Sequence, residues 1–180
     1  MEANAKANIL PLDPATYVRH PVHGDDRAWP ETNCYVDLWI ELLHGLGHEP
    51  LAAMAFTVAL DWEGDQWTFF KFPLEDLYEL YGLDVTELNI WRSLHENVLE
   101  QVRLRRPVIV EVDAFYLPDT AGVSYQLEHV KTSVAVNHLD LEARKLGYFH
   151  NRGYYEISGE DCAKALRLDE PRGSSIQRST

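Results

Sequence analysis

Glu31-Thr32-Asn33-Cys34-Tyr35-Val36-Asp37-Leu38-Trp39-Ile40-Glu41-Leu42-Leu43-His44-Gly45-Leu46-Gly47 is the stretch that decides the first half of the fold. Thr32 or Asn33 can accept hydrogen bonds from the open N–H groups of a first helical turn. Leu38, Leu42 and Leu43, with Trp39 and Leu46, then recur at helical spacing, and Gly45 and Gly47 stop the helix. Cys34 therefore opens it. A helix N-terminus favours negative charge, which makes a cysteine there a candidate nucleophile; the alternative is a small packed apolar residue, as free cysteine commonly is. Asp37 and Glu41 stand one turn apart on this helix, where a solvated acidic face is the ordinary reading.

The bulk composition narrows the function classes. At 180 residues, with 46% hydrophobic residues, five Trp and nine Tyr, the chain has the length and apolar content of one globular domain with its own core. A net charge of -13 repels a polyanion, so no nucleic-acid partner is expected. Two cysteines, no leader pattern and no apolar run beyond Leu51 to Leu60 point to a cytoplasmic protein with no membrane partner.

Residues 1–30 carry Pro11, Pro14, Pro21 and Pro30 without a sustained period and read as an extended N-terminal arm. Pro50 to Leu60 is helix or buried strand, and Asp61 to Asp65 a turn. Trp67 to Phe72 has the aromatic content of a strand, and Pro73 starts a short helix that ends at Gly82. A second long helix begins at Ser93, with a Ser93/Glu96 capping box and Leu94, Val98 and Val102 on one face, and ends in Arg103, Arg105 and Arg106. Pro107 to Pro118 is the clearest strand and is expected at the centre of a sheet. After a loop from Asp119 to Glu128, strands follow at His129–Val136, Leu146–His150 and Tyr154–Ile157, then a helix to Leu168 and a disordered tail over 169–180. Helices first and strands second define an α+β domain.

A cysteine opening a helix, a histidine starting a later strand and an Asn ending the next strand make up the layout of the papain-like cysteine fold; here they are Cys34, His129 and Asn151. The run Pro107-Val108-Ile109-Val110-Glu111-Val112-Asp113-Ala114-Phe115-Tyr116-Leu117-Pro118, followed by Glu128-His129, resembles the N-terminal domain of the butirosin-biosynthesis acyltransferase family. Leu141-Glu142-Ala143-Arg144-Lys145-Leu146-Gly147-Tyr148-Phe149-His150-Asn151 is similar to an uncharacterised bacterial family, domain of unknown function 1839. The resemblance implies a papain-like catalytic domain over 31–168, with an antiparallel sheet in its second half. It further implies an acyl or aminoacyl transferase that moves an acyl group from a carrier-protein phosphopantetheine thioester to a small-molecule amine, with no cofactor of its own. Cys34 would be the nucleophile, His129 the base and Asn151 the residue that orients the base.

Where the butirosin-type family has a histidine before its cysteine this chain has Asn33, and where papain-like enzymes have an upstream glutamine it has Ala28. The Asn33 side chain and the Cys34 N–H become the local oxyanion donors. Replacement of the amine by water would give a cysteine peptidase or amidase, and loss of the chemistry a papain-like binding module. Asp113 is a candidate for binding the substrate amine, against a hydrogen-bonded strand end. Arg103, Arg105 and Arg106 are candidates for docking an acidic carrier protein, against simple compensation of a helix dipole. No metal is expected: His20 and His23 lack further ligands at finger spacing, and His138, Asp140 and His150 read as polar strand ends.

Overall fold

Lys131–Asp140 (β3) is the strand on which the rest of the sheet is built. Thr132, Val134 and Val136 point to one side of it and Ser133 and Ala135 to the other, so it is sandwiched between two apolar layers. The computed structural model describes residues 5–25, 33–68 and 70–170. Ala28, Thr32, Phe69 and tail residues 171–180, each part of an expectation above, lie outside them. The architecture is α+β, with a five-stranded antiparallel sheet.

β3 pairs along one edge with Lys145–His150 (β4), which pairs in turn with Gly153–Ser158 (β5). Its other edge takes two short strands: Lys6–Asn8 (β1) against residues 138–140, and Val108–Asp113 (β2) against residues 131–136. Among the described residues β2 pairs with β3 alone, so the strand expected at the centre is an edge strand. It also ends at Asp113 and not at Pro118. The Asp113 side chain accepts the Phe115 N–H at 3.0 Å and turns the chain into a 3-10 segment, Ala114–Tyr116.

The first helix, Cys34–Gly45 (α1), is capped by Asn33, whose Oδ1 accepts the Tyr35 N–H at 3.0 Å. Residues 36–43 are all buried, including Leu38, Ile40 and Leu43, and they pack with Ala135 and Phe149 on one face of the sheet. Burial of each large aliphatic side chain contributes roughly 1.5–3 kcal/mol. Pro50–Ala59, left open between helix and strand, is a 3-10 helix on this side, beside Leu74–Tyr81 (α2), which Gly82 ends in the left-handed region. Trp67 to Phe72 forms only a single bridge, Trp62 to Trp67, among the described residues. The opposite face packs against Leu94–Arg103 (α3), which carries the Ser93/Glu96 capping box, and Gly159–Ala165 (α4).

The N-terminal stretch is bound to the sheet more closely than an arm would be. β3 has a bulge between Val136 and His138, and the bulged Asn137 accepts the Leu10 N–H at 2.8 Å and donates to the Leu10 carbonyl at 3.0 Å. A two-sided amide clamp of this kind holds β1 in place without any apolar period of its own. Among the described residues no helix is long and apolar enough to cross a membrane.

Candidate functional site

Cys34 is the first residue of α1, half-buried and not in a disulfide. The Asn33 side chain in front of it is engaged at both ends: Oδ1 caps the helix and Nδ2 donates to the Phe70 carbonyl at 2.5 Å. This fixes the start of the helix against the segment before α2.

His129 lies just before β3, 65% exposed at its side chain, and its Nδ1 sits 2.6 Å from Asp113 Oδ2. Phe115 stacks flat on the ring, 4.2 Å between centroids and 13° between planes. Ile109, Glu111 and Asp113 share one face of β2, and Ile109 packs with α1, Ala135 and Phe149. The Asp113 carboxylate stands at the end of that strand, where the chain turns into the 3-10 segment that meets α4. Phe115 and Tyr116 also line an open cleft of about 580 Å³, with Asp161 and Lys164 of α4 on its other side. Asp113, a candidate for binding a substrate amine, instead has one oxygen on His129 and the other on the Phe115 N–H.

Asn151 is the first residue of the two-residue turn between β4 and β5 and has a φ of 44°. Asn tolerates this left-handed conformation better than other non-glycine residues, which accounts for its place at the strand end. Among the described residues no hydrogen bond joins Cys34 to His129, or Asn151 to either.

The structure holds a second carboxylate–imidazole pair that the sequence did not reveal. His150 Nδ1 is 2.6 Å from Asp119 Oδ2, Tyr148 donates to Asp119 Oδ1 at 2.6 Å, and Thr132 Oγ1 is 2.8 Å from His150 Nε2. The His150 and Asp119 side chains are 1% and 2% exposed. Burial, with the Asp119 charge beside it, pushes the Tyr148 hydroxyl far above its ordinary range. Asp119 sat in an apparently polar loop, so only the strand partner His150 was visible. The trio considered for metal disperses: His150 goes to Asp119, Asp140 to Lys6 and the Ala143 N–H, and His138 stays apart, its pKa lowered by burial and by Lys6.

Asp37 and Glu41 are not a solvated face; they are 2% and 0% exposed. Glu41 accepts from the Tyr17 hydroxyl at 2.6 Å and the His20 N–H at 3.1 Å, and faces His23 Nδ1 at 2.5 Å; Asp37 lies 3.4 Å from His23 Nε2. Of the His-x-x-His pair, the His23 imidazole thus meets both carboxylates, while His20 contributes its backbone N–H to Glu41 and turns its ring to Glu49. Among the described residues no group of His, Cys, Asp and Glu is arranged to hold a metal ion.

The three arginines are exposed at the end of α3. Arg105 donates to the Ile9 carbonyl at 3.2 Å, which ties the helix end to the N-terminal segment. Cys162 is fully buried, and burial pushes its thiol up to about 12, with Arg144 acting weakly in the other direction.

The fold and these sites define an α+β protein with a half-buried cysteine opening its first helix and an exposed, carboxylate-held histidine just before β3 of an antiparallel sheet. The chain belongs to the family described as DUF1839 N-terminal domain, whose model matches residues 18–178. No curated protein and no solved structure matches it.

Proposed function

We propose that this domain is a cysteine-dependent acyl or aminoacyl transferase of the papain-like kind, related to the butirosin-biosynthesis acyltransferases. The observation that carries this reading is an exposed imidazole held at Nδ1 by the Asp113 carboxylate, with no hydrogen bond to its Nε2 among the described residues, in a chain whose half-buried Cys34 opens α1. In the proposed reaction the Cys34 thiolate attacks the carbonyl of a phosphopantetheine thioester on a carrier protein. The carbon–sulfur bond to the carrier breaks, and its thiol leaves with a proton from His129. An amine then attacks the acyl-enzyme, gives a proton to His129 and releases Cys34. Thioester exchange needs less transition-state stabilisation than amide cleavage. The open cleft beside Phe115 offers room for a small acceptor, and Arg103 and Arg106 offer positive charge to an acidic carrier.

A second reading, a papain-like binding module without catalysis, is favoured by the engagement of both ends of Asn33 and by the lack of a hydrogen bond between Cys34 and His129 among the described residues. Intact-mass analysis after incubation with acyl thioesters separates the two. A transferase acquires the mass of the acyl group, loses it in Cys34→Ala, and passes it to an added amine. No adduct with any thioester, under conditions where the fold is intact, would overturn the catalytic reading.

A further inference from the structure

We infer that Asp113, and not Asn151, is the positioning residue for His129, so that the working order along the chain is Cys34, Asp113, His129. The inference builds on the proposed cysteine chemistry but rests on geometry that can be read without it.

An imidazole used as a base needs one nitrogen lone pair open and the proton held on the other, and the partner of the second nitrogen decides which is which. Asp113 Oδ2 lies 2.6 Å from His129 Nδ1, the length of a strong bond to a carboxylate. That bond places the proton on Nδ1 and leaves Nε2 as the acceptor. The carboxylate is itself held, since its other oxygen takes the Phe115 N–H at 3.0 Å. Phe115 stacks on the ring at 4.2 Å and Tyr116 meets its edge at 6.2 Å, so ring rotation is restricted from two further directions. Three consecutive features of one turn, the strand-end Asp and the two aromatics that follow, therefore act on one imidazole.

Asn151 has a different function. It occupies the left-handed position of the β4–β5 turn, and no hydrogen bond links it to His129 among the described residues. The Asp119–His150 pair supplies an internal comparison. It has the same 2.6 Å Nδ1 contact, but its Nε2 is covered by Thr132 and its side chains are buried, so it ties the 118–120 segment to β3 and β4. The same pair of residue types is closed at Asp119–His150 and open to solvent at Asp113–His129.

The test is the tautomer of His129, read from the Nδ1 and Nε2 shifts in long-range nitrogen–proton NMR spectra of the full chain. The wild type is expected to show Nδ1–H with Nε2 unprotonated at alkaline pH. Asp113→Ala is expected to lose that signature and move toward the Nε2–H form that free histidine prefers. Asn151→Gly, which keeps the turn, should leave it unchanged. His150 serves as the internal control and should keep its signature in both variants. If Asp113→Ala fails to fold, Asp113→Asn gives the same reading through loss of a single dominant tautomer. An unaltered His129 tautomer without Asp113, or a loss in Asn151→Gly, would overturn the inference. The pH profile of Cys34 alkylation in the same variants separates this from the catalytic reading. A tautomer change with an altered profile supports both, whereas a tautomer change with an unaltered profile keeps Asp113 as the positioning residue and counts against a Cys34–His129 couple.

Discussion

Replacing Glu41 with Ala is expected to be among the most damaging single substitutions in the chain. Its carboxylate is fully buried and receives three groups at once: the Tyr17 hydroxyl at 2.6 Å, the His20 N–H at 3.1 Å and His23 Nδ1 at 2.5 Å. A hydrogen bond to a charged group contributes about 1.5–3 kcal/mol, but three to one carboxylate share a network and do not add. Removal of one member of a buried ionic pair costs about 3–5 kcal/mol, because the partners stay behind desolvated. A loss of about 4 kcal/mol is a quarter or more of the stability of a typical domain. In urea, with a slope of about 2 kcal/mol per molar, the midpoint should fall by about 2 M. Glu41→Gln keeps the volume and one acceptor and should cost less, about 1–3 kcal/mol. Both variants within about 0.5 kcal/mol of the wild type, the level of an ordinary surface change, would refute the reasoning.

The same cluster gives a pH dependence. The His23 pKa is raised, because its bonds to Asp37 and Glu41 outweigh the burial that opposes the charged form. Its protonation stabilises the fold below the ordinary value of 6.5 and that contribution is lost as pH rises through the folded value. The midpoint gap between wild type and His23→Gln should therefore be widest below pH 6.5 and close at alkaline pH; His20, shifted downward by burial, is common to both proteins and a constant gap would refute the assignment. In the folded protein, iodoacetamide should label Cys34 well before Cys162, whose thiol is buried and pushed up to about 12; peptide mapping that found equal labelling would contradict the structure. Gly45→Ala should cost about 1–3 kcal/mol by overpacking, because a Cβ there would come within 2.7 Å of the Phe149 ring, and an unchanged thermal midpoint would show that the ring yields freely.

What could be read from the sequence was local chemistry. The Asn33 cap, the Ser93/Glu96 box and the left-handed Gly82 each act within four residues, and each stands where the pattern placed it. The departures are long-range. β1 is three residues, Lys6, Ala7 and Asn8, with no alternation to betray it, and it exists because the bulged Asn137 clamps Leu10 from the far side of the chain. Asp37 and Glu41 depart from the solvated face that charge usually marks. The contrary signal was present: a helix apolar on every side leaves no wet face, so two carboxylates one turn apart need partners, and a His-x-x-His pair lay upstream. Of the two readings of Asp113, the hydrogen-bonded strand end is the one the structure shows, while the strand does not run on to Pro118 although β-branched and aromatic residues continue past Asp113. Its own side chain stops the strand, and the partner that gives it meaning is sixteen residues away.

The burial of charge along α1 bears on the cysteine at its start. The helix is held at three separated points: Asn33 to the Phe70 carbonyl at its beginning, Glu41 to Tyr17, His20 and His23 in its middle, and Gly45 against Phe149 near its end. A purely apolar helix would be as stable or more so, because dry packing avoids the desolvation of two carboxylates. Apolar contacts, however, tolerate sliding and rotation, whereas three directional bonds at one carboxylate fix both the axial position and the facing of the helix. Under the proposed cysteine chemistry, placement of the sulfur would tolerate errors of only about half an ångström. On this view the polar cluster exchanges some stability for the position of Cys34. Replacing the cluster as a whole, with Tyr17→Phe, His23→Leu, Asp37→Leu and Glu41→Leu together, would then be expected to preserve folding and yet alter the rate of Cys34 labelling, while an unchanged rate would show that apolar packing alone positions the helix.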